Sequence, residues 1–273
     1  MSSEDRRNVD THFAFGKNWA SYAGLIGPRE IEEAKRGLLK LIPETEFAGR
    51  SFIDIGCGSG VHALAAALLG VSRILAVDID EYSVKTCASV LKANDVSTPS
   101  RVEVQSVFDL DPAHEGTFDI VYSWGVLHHT GDMWPAVTKA AALVAPNGLL
   151  TLALYRRTRI DPFWLAEKRF YSRSPAAIQA SVRAIYVTLF RLAMVASGRS
   201  FRNYVANYRS ARGMDYYHDV HDWLGGYPYE MTTAPEVDAK LAALGFKAER
   251  VYARPVGIGL LGSGCDEYVY RRS

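Results

Sequence analysis

The sequence predicts an α/β fold: a seven-stranded, mostly parallel, doubly wound sheet with a helical insertion after the fifth strand. Three observations carry that prediction. The apolar run Phe52-Ile53-Asp54-Ile55 ends in Gly56-Cys57-Gly58-Ser59-Gly60, with glycine at every second position, and the alanine- and leucine-rich Val61 to Leu69 follows as a helix closed by Gly70. The next apolar run, Arg73 to Asp78, ends in an acid about twenty residues after the glycines. A chain of 273 residues with 48% hydrophobic content can hold one large α/β domain with an insertion.

Each element has a local reason. Residues 1–45 form an N-terminal arm and helix, and the arm packs Phe13, Phe15, Trp19 and Tyr22 into a short stretch. Such a segment docks either on the sheet edge or over a bound ligand. In the second case Trp19 and Tyr22, about one helical turn apart, share one wall. Residues 46–155 hold the first five strands. Side-chain-free positions at 56, 58 and 60 let the chain turn sharply and let a ligand approach main-chain N–H groups beside a helix N-terminus. The dinucleotide fingerprint needs glycine where Val61 stands, so a nicotinamide or flavin oxidoreductase is the remote option. Asp54 lies inside the end of the strand. A buried carboxylate is costly unless paired, so Asp54 orients loop N–H groups or answers a cationic ligand. Asp78, followed by Ile79, suits the two hydroxyls of a ribose.

Asp54, the alternate glycines and Asp78 together resemble the class I S-adenosylmethionine-dependent methyltransferases, whose first motif is a hydrophobic run leading into D-x-G-x-G-x-G. The resemblance covers roughly residues 35 to 155 and again the last strands. It implies S-adenosyl-L-methionine as cofactor, S-adenosyl-L-homocysteine as product, and a last strand antiparallel to the rest. It places Asp54, Gly56, Cys57, Gly58, Gly60, Asp78 and Ile79 against the cofactor. Val102 to Asp109 resembles the third strand and the adenine-side loop, with Ser106 where the family often has an acid, so that the backbone of Val107 and the ring of Phe108 hold the base. Phe118 to His129 resembles the fourth strand, and its end at Trp124 and Gly125 faces the transferred methyl. Met133 to Val144 then reads as a helix, Pro146-Asn147-Gly148 as a turn and Leu149 to Tyr155 as the fifth strand.

Residues 156–232 form the insertion, and 233–273 return to the domain. Pro162 to Tyr171 and Pro175 to Ser197 carry apolar residues at helical spacing. They read as helices packed on the sheet edge or on a partner subunit, with an apolar acceptor pocket or a membrane surface as alternatives. Arg183 and Arg191 argue against a spanning helix. The stretch from Met214 to Glu230 is dense in Tyr, His, Asp and Trp, and three readings compete for it. As an acceptor-site lid it offers Tyr216, Tyr217, Asp219 and Trp223 as walls and hydrogen bonds. As a plug its Tyr and His satisfy one another, and as a metal site it uses His218, His221 and nearby aspartates. The lid is preferred, and no metal is assigned. Thr233 caps a helix Pro235 to Leu244 stopped by Gly245, and strands near Lys247 to Ala253 and Cys265 to Arg271 complete the sheet.

Composition narrows the partners. With 31 basic against 30 acidic residues the chain shows no overall electrostatic footprint for nucleic acid. Cys57, Cys87 and Cys265 are few and odd in number, which fits a reducing cytoplasm better than a disulfide framework. There is no uninterrupted apolar run long enough to span a bilayer. A homo-oligomer is compatible with all of this.

The expected activity is methyl transfer to a small-molecule acceptor by in-line displacement, which requires alignment and exclusion of water. A general base is needed only for a nucleophile of high pKa. His128 and His129, at the end of the fourth strand, are the candidates, with His218 and His221 as rivals. Several candidate bases favour O- over N-methylation, and Tyr155 points into the same cleft. Methylation of a protein or nucleic-acid site, and a catalytically silent cofactor-binding protein, are the alternatives.

Overall fold

The computed structural model describes Phe13 and residues 26–212 and 215–273. Phe15, Trp19 and Tyr22 lie outside the described residues. Helix α1 (Pro28–Leu41) starts with proline in its first turn, where a missing N–H costs nothing, and buries Ala34, Leu38 and Leu41. Then follow β1 (Ser51–Ile55), α2 (Val61–Leu68), β2 (Arg73–Asp78), α3 (Glu81–Ala93), β3 (Ser100–Val104), the short α4 (Pro112–Glu115), β4 (Phe118–Trp124), α5 (Met133–Ala142) and β5 (Val144–Tyr155). The insertion contributes α6 (Asp161–Arg173), α7 (Ala176–Ala196), α8 (Phe201–Arg212) and α9 (Tyr216–Gly225). Helix α10 (Ala234–Ala243), β6 (Phe246–Tyr252) and β7 (Cys265–Arg272) close the chain.

The seven strands lie in the order β3-β2-β1-β4-β5-β7-β6. β1 pairs parallel with β2 and β4, β2 with β3, and β4 with β5, while β7 runs antiparallel to both β5 and β6. The expected doubly wound sheet with an antiparallel last strand is therefore present. Alternate residues face opposite layers. Phe52, Ile120 and Tyr122 pack with Leu38 of α1 and Leu64 of α2, whereas Ile53, Ile55 and Val121 pack with Val137 of α5 and Leu241 of α10. Both faces are covered, which is why β1 is buried along its whole length and reads as a continuous apolar run.

One boundary differs from expectation. Pro146-Asn147-Gly148 does not precede the fifth strand but sits inside β5, where the pairing with β4 shifts from Phe118↔Val144 to Ile120↔Leu149. Asn147 has φ +60°, and a Cβ on Gly148 would stand 2.9 Å from the carbonyl oxygens of Ala145 and Asp119. The turn residues thus build a bulge that lets β5 continue.

The insertion forms a third core. Trp164 and Tyr171 of α6, Tyr208 of α8 and Tyr216, Val220 and Leu224 of α9 are buried together with Phe13. The stretch expected as a lid is largely helical, because Asp215 caps α9 by accepting from the N–H groups of Tyr217 and His218. Among the described residues one helix, α7, is long and apolar enough to cross a membrane, yet only Met194 of it is buried.

The end of β5 is locked by an ion pair. Arg156 Nε donates to Asp266 Oδ1 at 2.8 Å, Arg254 N–H donates to the same oxygen at 3.3 Å, and only 2% of the Asp266 side chain is exposed. Replacing Asp266→Ala strands a largely buried guanidinium, and we expect a loss of about 3 kcal/mol, read as a lower urea midpoint at unchanged m-value.

Candidate active site

The turn after β1 is tied to the end of β2. The N–H groups of Gly56 and Cys57 both donate to the Val77 carbonyl, at 2.8 and 3.0 Å, and Gly60 N–H donates back to the Cys57 carbonyl at 2.8 Å. Two of the glycines have no substitute here. A Cβ on Gly56 would lie 2.4 Å from the Val126 side chain, and one on Gly60 would lie 2.8 Å from the Cys87 backbone, with φ near +78° at both. Gly60 is also the residue from which α2 starts, so helix N–H groups face the loop.

Two carboxylates complete this cradle. Asp78 accepts from Gly58 N–H through Oδ2 and from Asp80 N–H through Oδ1, both at 3.0 Å, and burial pushes its pKa up to about 6 despite these bonds. Asp54 is buried more deeply. One of its oxygens, Oδ2, has no hydrogen-bond partner, and burial, with the Asp78 charge second, pushes its pKa up to about 7. A buried acid with an open oxygen, beside a loop that a Cβ would fill, fits a ligand carrying ribose hydroxyls and a positive charge.

Around the cradle, Ser106 Oγ accepts from Phe108 N–H at 3.3 Å. The side chain of Val107 belongs to the main core, and Phe108 packs half-buried against it. Ile79 is exposed at the end of β2. Trp124 reaches across the sheet end to donate to Glu267 at 3.1 Å, and Gly125, at φ +78°, donates its N–H to the Ala153 carbonyl. Sequence reasoning missed His62. It opens α2 with its ring 5.2 Å from Tyr122 and 6.3 Å from Trp124, and burial pulls its pKa down to about 4. Its only sequence signal is its place two residues beyond the last glycine of the turn.

Beyond Gly125 and Val126 lies a packed aromatic cluster around Tyr155, with His128, Trp164, Lys168 and Tyr229 buried in it. Tyr155, at the end of β5, is surrounded by rings at 3.9 Å (His128), 5.2 Å (His129), 5.2 Å (Trp223) and 5.3 Å (Tyr229). The insertion clamps this loop: Glu230 N–H donates to the His128 carbonyl at 3.0 Å, Glu230 Oε2 accepts from Met133 N–H at 2.8 Å, and Thr232 N–H donates to the Tyr155 carbonyl at 2.9 Å. His128 is wholly buried. Its Nδ1 accepts from Tyr155 N–H at 3.3 Å, its Nε2 has no partner, and burial holds its pKa well below the usual range. Trp223 Nε1 and both Glu167 carboxylate oxygens are likewise buried without a partner.

Lys168 was not singled out by the sequence. It is completely buried, donates to the Trp223 carbonyl, and lies 3.5 Å above the Trp223 ring with Tyr229, Tyr155 and Trp164 within about 6 Å. Burial pushes its ammonium pKa down. The sequence signal was present: Lys168 falls on the same α6 face as Trp164 and Tyr171.

Other expected residues go elsewhere. His221 Nδ1 meets Tyr171 Oη at 2.7 Å and Arg183 at 3.0 Å, with Phe13 edge-on, and His218 Nδ1 pairs with Asp215 at 3.0 Å. Both are absorbed in packing and capping α9 rather than brought to the Tyr155 cluster. Tyr216 sits in the third core, Asp219 accepts from Tyr208 Oη, and Tyr217 is exposed. Of the α9 residues expected at the acceptor, Trp223 alone joins the cluster. His129 Nδ1 donates to the Pro228 carbonyl at 2.7 Å and so ties the histidine loop to the insertion. Among the described residues no three His, Cys, Asp or Glu are placed to hold a metal.

Comparison with known proteins bears on the strands from β1 to β5. Residues 53–152, from β1 to β5, match the family model described as a methyltransferase domain. The chain is 43% identical over 75 residues to ribosomal protein L11 methyltransferase of Thermotoga maritima, covering 28% of this chain and 26% of that protein. It is 34% identical over 113 residues to ubiquinone biosynthesis O-methyltransferase of Xanthomonas euvesicatoria, covering 41% and 46%. The chain thus matches less than half the length of these curated relatives. Magnesium protoporphyrin IX methyltransferase of Synechocystis PCC 6803, solved with S-adenosylhomocysteine, shares the fold over 90% of this chain and 84% of its own, with a TM-score of 0.54 and 14% identity.

The Asp54 geometry has a measurable consequence. Its folded pKa, about 7, is raised above the ordinary 3.8, so the folded state holds a proton that the unfolded state releases across that interval, and stability falls as pH rises through it. Above pH 7 the ligand-free protein carries an unanswered buried charge. Asp54→Asn removes it, and we expect the variant to gain on the order of 2 kcal/mol at pH 8 and nothing at pH 4, by denaturant titration at both values.

Proposed function

We propose that this class I methyltransferase domain transfers the methyl group of S-adenosylmethionine to a small-molecule acceptor at the Tyr155 cluster, with oxygen favoured over nitrogen as the atom methylated. One observation carries the reading. A glycine-loop cradle with an open Asp54 oxygen and an aromatic cluster with an open His128 nitrogen lie close to Gly125 and Val126.

The residues divide the work. Asp78, oriented by the Gly58 N–H, serves the ribose hydroxyls, Ser106 and Phe108 the adenine, and Asp54 the ligand's positive charge. The cofactor supplies an electrophilic methyl on a sulfonium. Because His128 Nδ1 accepts from Tyr155 N–H and burial keeps the ring neutral, its hydrogen sits on Nε2, which acts as a donor orienting the acceptor oxygen rather than as a base. Lys168, whose amine burial drives toward the neutral form, takes the acceptor's proton in its place. Tyr155, Trp164, Trp223 and Tyr229 exclude water and press a flat acceptor into line.

Methylation of a protein side chain is the second reading, resting on the similarity to the L11 methyltransferase. The enclosure of the site by four rings favours a small acceptor.

Calorimetry with S-adenosylhomocysteine tests the first step, and Asp78→Ala should weaken binding at least about tenfold. Absence of binding to the unmodified chain sinks the proposal. Affinity for S-adenosylmethionine should rise with pH up to about 7, where Asp54 ionises, and level off above it. Transfer of labelled methyl into a metabolite extract then identifies the acceptor; binding without any transfer points to a silent cofactor-binding protein. With that acceptor in hand, Lys168→Met should slow single-turnover transfer about a hundredfold while leaving S-adenosylhomocysteine affinity unchanged. A rate within twofold of the parent would remove Lys168 from the chemistry, as a purely structural lysine would.

A further inference from the structure

We propose that the insertion docks on an anionic lipid bilayer through α7, the outer face of α6 and the loop 256–261. This inference is independent of the methyl-transfer reading.

Three elements expose large apolar side chains together. On α7, Ile178, Ile185, Leu189 and Leu192 recur at i, i+7, i+11 and i+14, which places them in one stripe, and they are 42%, 61%, 56% and 59% exposed. The opposite face of that helix is spoken for: Val182, Tyr186, Val187 and Phe190 pack on the third core, and Arg183 bonds Tyr171. On α6, Phe163 and Phe170 are more than half exposed, while Trp164 and Lys168 of the same helix point inward. Between them the glycine-spaced loop presents Ile258, Leu260 and Leu261, with Leu260 the most exposed of the three. Hydrogen bonds hold it there. Trp164 Nε1 donates to the Gly259 carbonyl at 2.7 Å and Tyr186 Oη donates to the Leu261 carbonyl at 2.9 Å. Isolated exposed leucines need no explanation, but a contiguous face built from three elements marks an interaction surface.

Charge selects the partner. Residues 168–214 contain nine Lys and Arg and no Asp or Glu, whereas the other residues hold 22 basic against 30 acidic. The near-zero net charge therefore hides a strongly cationic insertion on an acidic body. Arg173, Arg191, Arg199 and Arg202 are exposed on and beside α7. An apolar stripe flanked by arginine is the pattern of a helix lying in a membrane interface, and each arginine brought to an anionic surface strengthens partition about fivefold. The same stripe in a second copy would bring two cationic insertions together, which like charge opposes. With one face docked on the protein and Arg183 committed there, α7 lies on the bilayer and does not cross it.

Flotation of the full chain with vesicles tests this. We expect it to float with vesicles of phosphatidylcholine containing about 30% phosphatidylglycerol, far less with phosphatidylcholine alone, and progressively less as salt rises. The double variant Leu189→Glu with Leu192→Glu should lower partition at least about tenfold, and Leu260→Ser several-fold, with melting temperature unchanged because these side chains already face solvent. Arg191→Glu with Arg199→Glu should weaken binding at low salt and leave binding at high salt nearly unaffected. Failure to float with anionic vesicles overturns the proposal, as does flotation indifferent to the leucine variant. A dimer by analytical ultracentrifugation that the leucine variant dissolves, without flotation, assigns the face to a second copy and equally overturns it.

Discussion

The whole architecture depends on how closely the turn after β1 approaches its neighbours. Two N–H groups share one carbonyl at the end of β2, and two glycines stand where any Cβ would strike Val126 or Cys87. This contact fixes the first strand against the second and aims the start of α2 at the space above them. It also brings Val126, and with it the histidine loop, against the cradle. The glycine turn and the aromatic cluster at Tyr155, the proposed cofactor and acceptor sites, are therefore parts of one packed unit, so a disturbance of the turn is transmitted to both.

The insertion is more than a cover. Its returning segment, from Gly226 to Thr232, supplies hydrogen bonds to the backbone of His128 and Tyr155 and caps α5 through Glu230. The aromatic cluster around Tyr155 thus depends on the insertion for Trp223 and Tyr229. That economy has a cost: His128, Trp223 and Glu167 keep buried polar atoms without partners, and Lys168 is held in an aromatic cage. Unmet polar groups oppose folding, and the two beside Tyr155, on His128 and Trp223, are available to a polar acceptor. The same helix that carries Lys168 inward carries Phe163 and Phe170 outward, which places the proposed acceptor site one helix away from the proposed lipid-facing surface.

Much of the sheet was legible in the sequence because parallel strands buried on both faces are short apolar runs, and because Gly56 and Gly60 stand where no Cβ fits. Asp54 and Asp78 stood out because acids at strand ends are rare in such runs. The boundary at Pro146-Asn147-Gly148 was misread because turn residues and bulge residues have the same composition; only pairing with β4 distinguishes them. His218 and His221 looked catalytic because histidine next to aspartate is also what helix capping and packing require. The cationic insertion was written in the sequence but vanished in an average over the whole chain.

By itself, then, the sequence determined the α/β class, the glycine turn between the first strand and its helix, and the position of the insertion. These follow from patterns local in the chain: periodicity, glycine spacing, an acid at a strand end. Tertiary structure alone decided which side chains meet at Tyr155, since those partners come from residues 128, 155, 168, 223 and 229. No periodicity links such positions. Only the return of the insertion along the end of β5 brings them within reach, and that return is set by long-range hydrogen bonds between segments far apart in sequence.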